Sequence, residues 1–337
     1  MASYKDIAQL CGVSTATVSY VFNGKGHVSQ EIRNRVLKTA EELGYVKKNA
    51  EPSRSRLIRL YCADMETLPT HLFFNELLTG ILSVTMPAGY DVIVTPTQKE
   101  EGERQPVELG SRAPVDGIIT FNPTNDGTFL KGIKKTGCPC VVVGRPGGHD
   151  GEFCYVDADN VAIGYQMTRH VAANGHTAIL MVNGPKELTI SQDRLEGYRM
   201  ALTDSNLPYD PEMVLNCNYT ENDVYRVVSA YLETQEAPTA IIANSDIMVA
   251  GVVKALADHK IRIPEDCSLI CGGESLLVKM NSIPITGVDI HHEELGRRAA
   301  EMLLGLIERT LIRVTQYHAP FELNDRGSVV PRGGGNV

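Results

Sequence analysis

The 337-residue sequence contains no run of 18 apolar residues, which excludes a helix built to span a bilayer. Its opening MASYKDIAQL has no apolar signal region, so the expectation is a cytoplasmic protein with no membrane partner. Neither G-x-x-x-x-G-K-[ST] nor G-x-G-x-x-G occurs, and nothing argues for a bound nucleotide. His292-Glu293 starts an H-E-x-x-H pattern, but Gly296 stands where the second histidine belongs. Gly273-Glu274-Ser275 starts a G-x-S-x-G elbow that Leu277 ends. The acid pair Asp157 and Asp159 has no histidine or nucleophile beside it in the sequence. No enzyme is expected. Eight cysteines are present without a C-x-x-C pair, most of them in apolar surroundings such as CPCVVV and DCSLIC. They are expected as reduced core thiols, with no metal and no cofactor.

What is present is a charge asymmetry. Residues 1–60 hold ten Lys/Arg and five Asp/Glu, a net +5, against a whole-chain charge of −9. The remainder therefore carries −14. A basic head on an acidic body points the head, and not the body, at a polyanion.

The head reads as three short helices. Tyr4 to Leu10 puts Ile7, Ala8 and Leu10 on an amphipathic segment, broken by Cys11-Gly12-Val13. Gly12 supplies the positive φ that a tight turn between helices needs. Ser14 is placed to cap a second helix near the amide of Thr17. In that helix Val18, Val21 and Phe22 share one face, and Thr15, Ala16, Ser19, Tyr20 and Asn23 the other. Ser29 caps a third, with Ile32, Val36, Ala40 and Leu43 at helical spacing and Gly44 as the stop. The bundle is a helix-turn-helix. Small residues at the start of its second helix permit close approach in a major groove: Thr15 and Ala16 to base edges, Ser19 or Asn23 to phosphates, Tyr20 to either.

The segment from Tyr4 to Tyr45, with KDIA, GVS, ATVS, VFN, VS, the RxRV of Arg33–Val36 and LGY, resembles the headpiece of the lactose-repressor/galactose-repressor (LacI/GalR) family. The resemblance implies that the second helix is the recognition helix and that Thr15, Ala16 and Tyr20 read double-stranded operator DNA. Many members carry Arg where Tyr20 stands. They also usually have a hinge helix after the headpiece, whose leucine wedges into the minor groove. Here the linker VKKNAEPSRSR is several residues shorter, has no leucine before Leu57, and is interrupted by Pro52, which restrains Glu51 from helical angles. Lys47, Lys48, Arg54 and Arg56 remain available to phosphates or serve only a solvated tether.

From Leu57 on, apolar runs alternate with helical patterns. Strands are expected at LIRLYC (57–62), YDVIVT (90–95), DGIITF (116–121), CVVVG (140–144), TAILMV (177–182), TAIIA (239–243) and CSLIC (267–271). Helices are expected near 74–86, 160–174, 192–205, 221–234, 246–259 and 292–309. Continuous apolar strands between helices argue for parallel sheets covered on both faces, too many strands for one sheet, hence two α/β lobes with a cleft between them. The pieces FFNELLTGI, DGII, VDADNVAIGY, RLEGYRMAL, PTAIIANSDIMVAGVVKAL, IPEDCSL and RGS are similar to the same family's effector domain. That domain looks like a periplasmic sugar-binding protein, and the likeness implies three crossings between lobes, near 157–160, 286–290 and 318–322. The expected organisation is a helix-turn-helix domain at 1–46, a basic linker at 47–56, a two-lobed effector and dimerisation domain at 57–332, and a disordered tail at 333–337.

Ligands in open α/β sheets bind at the carboxyl ends of strands. Phe73 and Phe74 offer flat apolar faces to a ligand or pack in the core. Arg194 matches the family's ligand-binding arginine; its fork holds two hydroxyls or a carboxylate, or makes a structural ion pair. Tyr219 matches an aromatic that stacks on ligand. Asp246 bonds hydroxyls or caps the helix that follows it. Family members typically have Asn where Ser245 stands, and an aromatic and a ligand-binding aspartate at Gly272 and Gly273, so Glu274 is a candidate substitute. The expectation is a ligand-responsive transcription regulator, by family default a repressor. A homodimer would bind a pseudo-palindromic operator, and a sugar-like effector would occupy the cleft. No leucine heptads at the C-terminal end argue for a tetramer. The rivals are a periplasmic-type binding protein without DNA function and, on fold class alone, a sugar- or nucleotide-processing enzyme.

Overall fold

A computed structural model describes residues 3–23, 28–43, 45, 55–62, 72–100, 103–105, 114–149, 151–279 and 283–332. The chain folds as two units, residues 1–54 and 55–337.

The first unit holds α1 (Tyr4–Cys11), α2 (Thr15–Asn23) and α3 (Gln30–Glu42). Ser3 and Asp6 form a reciprocal capping box at the start of α1, which satisfies amides that the first turn leaves orphaned. Gly12 takes φ +62°, and its amide closes the end of α1 on the carbonyls of Ala8 and Gln9. Ser14 Oγ accepts from the Thr17 amide at 3.0 Å, and Ser29 Oγ from the Ile32 amide at 3.4 Å, as the capping argument requires. Ile7, Ala8, Cys11, Val18, Val21, Val36 and Ala40 form the core. Tyr4, Phe22 and Tyr45 close it with ring centroids 5.5–5.6 Å apart. Leu10 (65% exposed) and Leu43 (37%) do not join it. On α1 the buried face is made by Ile7, Ala8 and Cys11, and Leu43 falls one residue past the end of α3.

The second unit runs β1 (Leu57–Cys62), α4 (Leu72–Thr85), β2 (Asp91–Pro96), β3 (Gln98–Glu100), β4 (Glu103–Gln105), β5 (Gly117–Phe121), α5 (Thr128–Lys135), β6 (Cys140–Val143) and β7 (Cys154–Ala158). It continues with α6 (Asn160–Ala173), β8 (Ile179–Asn183), α7 (Thr189–Asp204), β9 (Val214–Asn216), α8 (Glu221–Thr234), β10 (Ala240–Ala243) and α9 (Asp246–Asp258). It finishes with β11 (Ser268–Cys271), α10 (Leu276–Lys279), β12 (Thr286–Asp289), α11 (His292–Ile307), β13 (Gln316–Ala319) and β14 (Glu322–Asn324). Two six-stranded sheets result, ordered β13-β7-β6-β5-β1-β2 and β14-β12-β11-β10-β8-β9. The first is parallel throughout; in the second only the β12–β14 pair is antiparallel. The chain passes between the lobes at 159, at 290–291 and at 320–321, where successive elements belong to different sheets.

All seven expected strands form, shifted by no more than two residues at either end. The central ones are buried on both faces, which is why they read as unbroken apolar runs. Helices α6 and α7 touch backbone to backbone: a Cβ on Gly164 would meet the Arg194 backbone, and one on Gly197 the Val161 carbonyl. That contact seats the first turns of α7 against the strand ends.

Candidate functional site

On α2, Thr15 and Ala16 are exposed, Tyr20 is 49% exposed and Ser19 is half-buried, while Val18 and Val21 are buried beneath them. The polar outer face of α2 is therefore solvent-exposed. Asn23 is the last residue of α2, and its side chain lies outside the described residues, as do Lys47, Lys48 and Arg54.

A cleft separates the carboxyl ends of the two sheets. On the first lobe it is walled largely by Phe73, Leu77, Phe121, Val143, Ile290 and Leu295, and on the second by Arg194, Tyr219, Asn244, Ser245, Asp246 and Gly272. One wall is thus mainly apolar and the other mainly polar. An amphiphilic pocket of this kind fits a ligand that carries both a hydrocarbon face and hydrogen-bonding groups.

Arg194 sits in the second turn of α7 and is 2% exposed. Its Nε donates to Asn160 Oδ1 at 3.0 Å, and its Nη1 donates to the carbonyls of Asn244 and, at 3.1 Å, Gly272. The acceptors are the residues just beyond β10 and β11, so the arginine ties two strand ends to α6. Burial pulls the guanidinium below its usual value, while Tyr219, Cys271, Asp157 and Asp246 draw it back up. Nη2 has no hydrogen-bond partner among the described residues. A Cβ on Gly272 would run into Nη1. The missing aromatic at Gly272 is the room the arginine head occupies.

Asp157, at the carboxyl end of β7, lines the same cleft. Burial pushes its carboxyl up to about 7, although three N–H groups point at it: Arg145 N at 3.0 Å, Ala158 N at 2.8 Å and Asn160 Nδ2 at 3.0 Å. Asn160 thus bridges Asp157 to Arg194. No histidine or nucleophile stands beside Asp157 in the sequence; its link to Arg194 runs through Asn160 to a helix 34 residues further on, which no local spacing announces.

Of the effector candidates, Phe73 lines the cleft, edge-on to Phe121 at 5.8 Å and beside His292 at 5.5 Å. Tyr219 lines it as well, packed where a Cβ on Gly184 would strike its hydroxyl. Asp246 is 6% exposed there; its Oδ1 accepts from Ser245 Oγ at 3.1 Å and from the Ile247 amide at 2.9 Å. Phe74 is one helical step away from Phe73 and turns into the core against Phe121, so it does not line the cleft. Glu274 is also misplaced by the sequence argument. One residue past Gly273 it faces the other way, ion-paired with Arg326 and accepting from Asn324 Nδ2 at 2.9 Å. Its carboxylate is spent on the last strand of the second lobe and the turn just after it.

The eight cysteines are all free; burial raises Cys138 to about 11 and Cys217 to about 12, which keeps those two as neutral thiols. Among the described residues, no group of three or more His, Cys, Asp or Glu is placed to hold a metal, and no helix is long and apolar enough to cross a membrane.

Comparison with known proteins matches both units. Residues 3–48 match the family described as bacterial regulatory proteins, lacI family, and residues 168–329 match the periplasmic binding protein-like domain. The transcriptional repressor PurR of Vibrio vulnificus (strain CMCP6) is 28% identical over 91% of this chain and 92% of its own. The transcriptional regulator AglR of Rhizobium meliloti (strain 1021) is 29% identical over 89% and 86%. Among solved structures, the transcriptional regulator CelR–cellobiose complex superposes with a TM-score of 0.76 at 26% identity, covering 97% of this chain and 100% of that one. These relatives are regulators rather than enzymes. With an exposed polar helix on one unit and a two-lobed cleft in the other, the chain joins a lacI-family regulatory domain to a periplasmic binding protein-like domain and is a ligand-responsive transcription regulator.

Proposed function

We propose that this regulator is a cytoplasmic repressor. As a homodimer it binds a pseudo-palindromic operator with the outer face of α2, and it responds to a sugar-like metabolite in the cleft. Residues 1–46 then form the reading head and 47–56 a basic tether to the body. Thr15 and Ala16 approach base edges and Tyr20 reads a base or a phosphate. Ser19, Asn23, Lys47, Lys48 and Arg54 add backbone contacts that carry affinity but no sequence. Arg194 Nη2, Asp246 and Tyr219 hold the polar side of the effector, and Phe73 lies against its apolar face.

The observation that carries this reading is the buried Arg194, anchored on two strand ends with one edge of its fork unbonded in the cleft. A planar cation placed this way suits paired hydroxyls. The cellobiose named in the CelR structure's title favours a carbohydrate. Effector binding that prefers one arrangement of the lobes by roughly 1–3 kcal/mol would suffice to switch operator affinity by changing the spacing of two headpieces.

The test is selection of bound sequences from random duplex DNA by the purified protein, repeated at raised salt. Enrichment of a palindrome, with affinity falling by about 0.9 log units per log unit of salt for each phosphate contacted, is the expected result. Binding without enrichment would refute sequence-specific repression. Loss of binding altogether would refute the DNA function.

A further inference from the structure

The two walls of the cleft are joined directly, away from the three crossing segments. The loop after β5 pairs with the loop before α7. The Asn125 amide donates to the Glu187 carbonyl at 2.9 Å and Asn125 Nδ2 to the same oxygen at 3.0 Å. The Thr189 amide donates to the Pro123 carbonyl at 3.2 Å, and Thr124 and Leu188 form an isolated antiparallel bridge. One ion pair stands beside these bonds. Arg145, in the loop between β6 and β7, reaches from the first lobe to Asp193 on α7 in the second. It does so with both prongs of its fork, Nε to Oδ2 at 2.9 Å and Nη2 to Oδ1 at 2.5 Å. Asp193 keeps 12% of its side-chain exposure and Arg145 32%.

We propose that Arg145 is a positioning residue for the effector site: its bidentate grip on Asp193 holds the first turns of α7, and with them Arg194, against the first lobe and sets the resting width of the cleft. Asp193 is the residue immediately before Arg194, so a pull on one carboxylate is a pull on the turn that aims the other's guanidinium. The fork geometry fixes direction as well as distance, which a lysine in the same place could not do. Half-burial shields the pair from the screening that makes open surface pairs weak. The backbone of the same residue serves a second link. The Arg145 amide donates to Asp157, which takes Asn160 Nδ2, which in turn accepts Arg194 Nε on its oxygen. The arginine of the first lobe is therefore coupled to the arginine of the second by two routes, one through its side chain and one through its main chain. Only the side-chain route is lost on substitution. This link between the lobes is independent of which effector binds.

Amide hydrogen exchange of the full chain reads this directly, because the Asn125 and Thr189 amides are bonded across the lobes. In Arg145→Ala, exchange in peptides covering 122–127 and 186–191 should quicken by about tenfold or more, while amides within β8 and β10 keep their protection. Asp193→Asn, which keeps the volume, should do the same and guards against a variant that fails to fold. Arg145→Lys should give a smaller increase. The exchanged pair Arg145→Asp with Asp193→Arg should restore protection. Unchanged exchange at the cross-lobe amides in both single variants would overturn the proposal. So would a uniform loss across all strands, or an exchanged pair no better protected than the single variants.

Discussion

Asp157 makes the stability of the body depend on pH in a direction opposite to that of most carboxylates. Its carboxyl is pushed from an ordinary 3.8 up to about 7 in the folded chain. Between those values the native state holds a proton that the unfolded state has released. Folding stability attached to this group is therefore full below about pH 4 and is lost as pH rises toward 7, after which it stays flat. A gap of about three pKa units at about 1.4 kcal/mol each gives an upper bound of about 4 kcal/mol. The Ala158 and Arg145 amides that face the carboxylate favour its ionised form and already hold the value below what burial alone would set. Asp157→Asn cannot titrate. It also turns an NH2 group toward donors, at a cost of about 1–3 kcal/mol that does not vary with pH. Urea denaturation of both chains at steps from pH 4 to pH 8 isolates the group, because every other titration is common to the two. The advantage of the wild type over Asp157→Asn should shrink steadily from pH 4 to pH 7. A difference that stays constant over that range would refute the burial argument, and one that grows would reverse its sign.

Three further outcomes are expected. Replacing Arg194 with Met leaves Asn160 Oδ1 and the Asn244 and Gly272 carbonyls without their donor; effector response should vanish and stability fall by about 3 kcal/mol or more, measured by ligand-shifted operator binding and denaturant melts. The change Gly272→Ala places a Cβ against the Arg194 head and should weaken effector binding at least tenfold with operator binding in its absence intact; calorimetry showing equal affinity would contradict the packing. Gly12→Ala forces an L side chain into φ +62°, so headpiece stability should drop by about 1 kcal/mol in thermal melts, with no change in the body.

Much of this architecture was legible because its signals are local. Apolar strand runs such as DGIITF (116–121), the serines at helix starts and the glycine between α1 and α2 each act within a few residues. What escaped was short or polar. Strand β13 (Gln316–Ala319) and strand β14 (Glu322–Asn324) are sheet edges with exposed positions, so no apolar run marks them. Strand β7 is fully buried, yet it carries the polar pair Tyr155 and Asp157 in five residues. Helix α5 spans only eight residues, with Gly132 inside it. In the cleft, Phe73, Arg194, Tyr219 and Asp246 were reachable because each follows or faces a strand end. Phe74 and Glu274 failed for the same geometric reason: one residue along a helix or turn reverses which side it meets. Arg145 left no local trace, since its partner lies 48 residues away.

The three crossings have a further consequence for how the gene tolerates damage. Neither lobe is written as one continuous passage. The first takes its strands from 57–158 and then again from 316–319, and the second closes only with 322–324. The edge strands of both sheets are thus encoded side by side, within nine codons. A frameshift or clip just before them would strip one border from each lobe in a single event, baring two templates for aberrant pairing at once. Partial products of this chain should therefore aggregate rather than survive as a lone DNA-bound half.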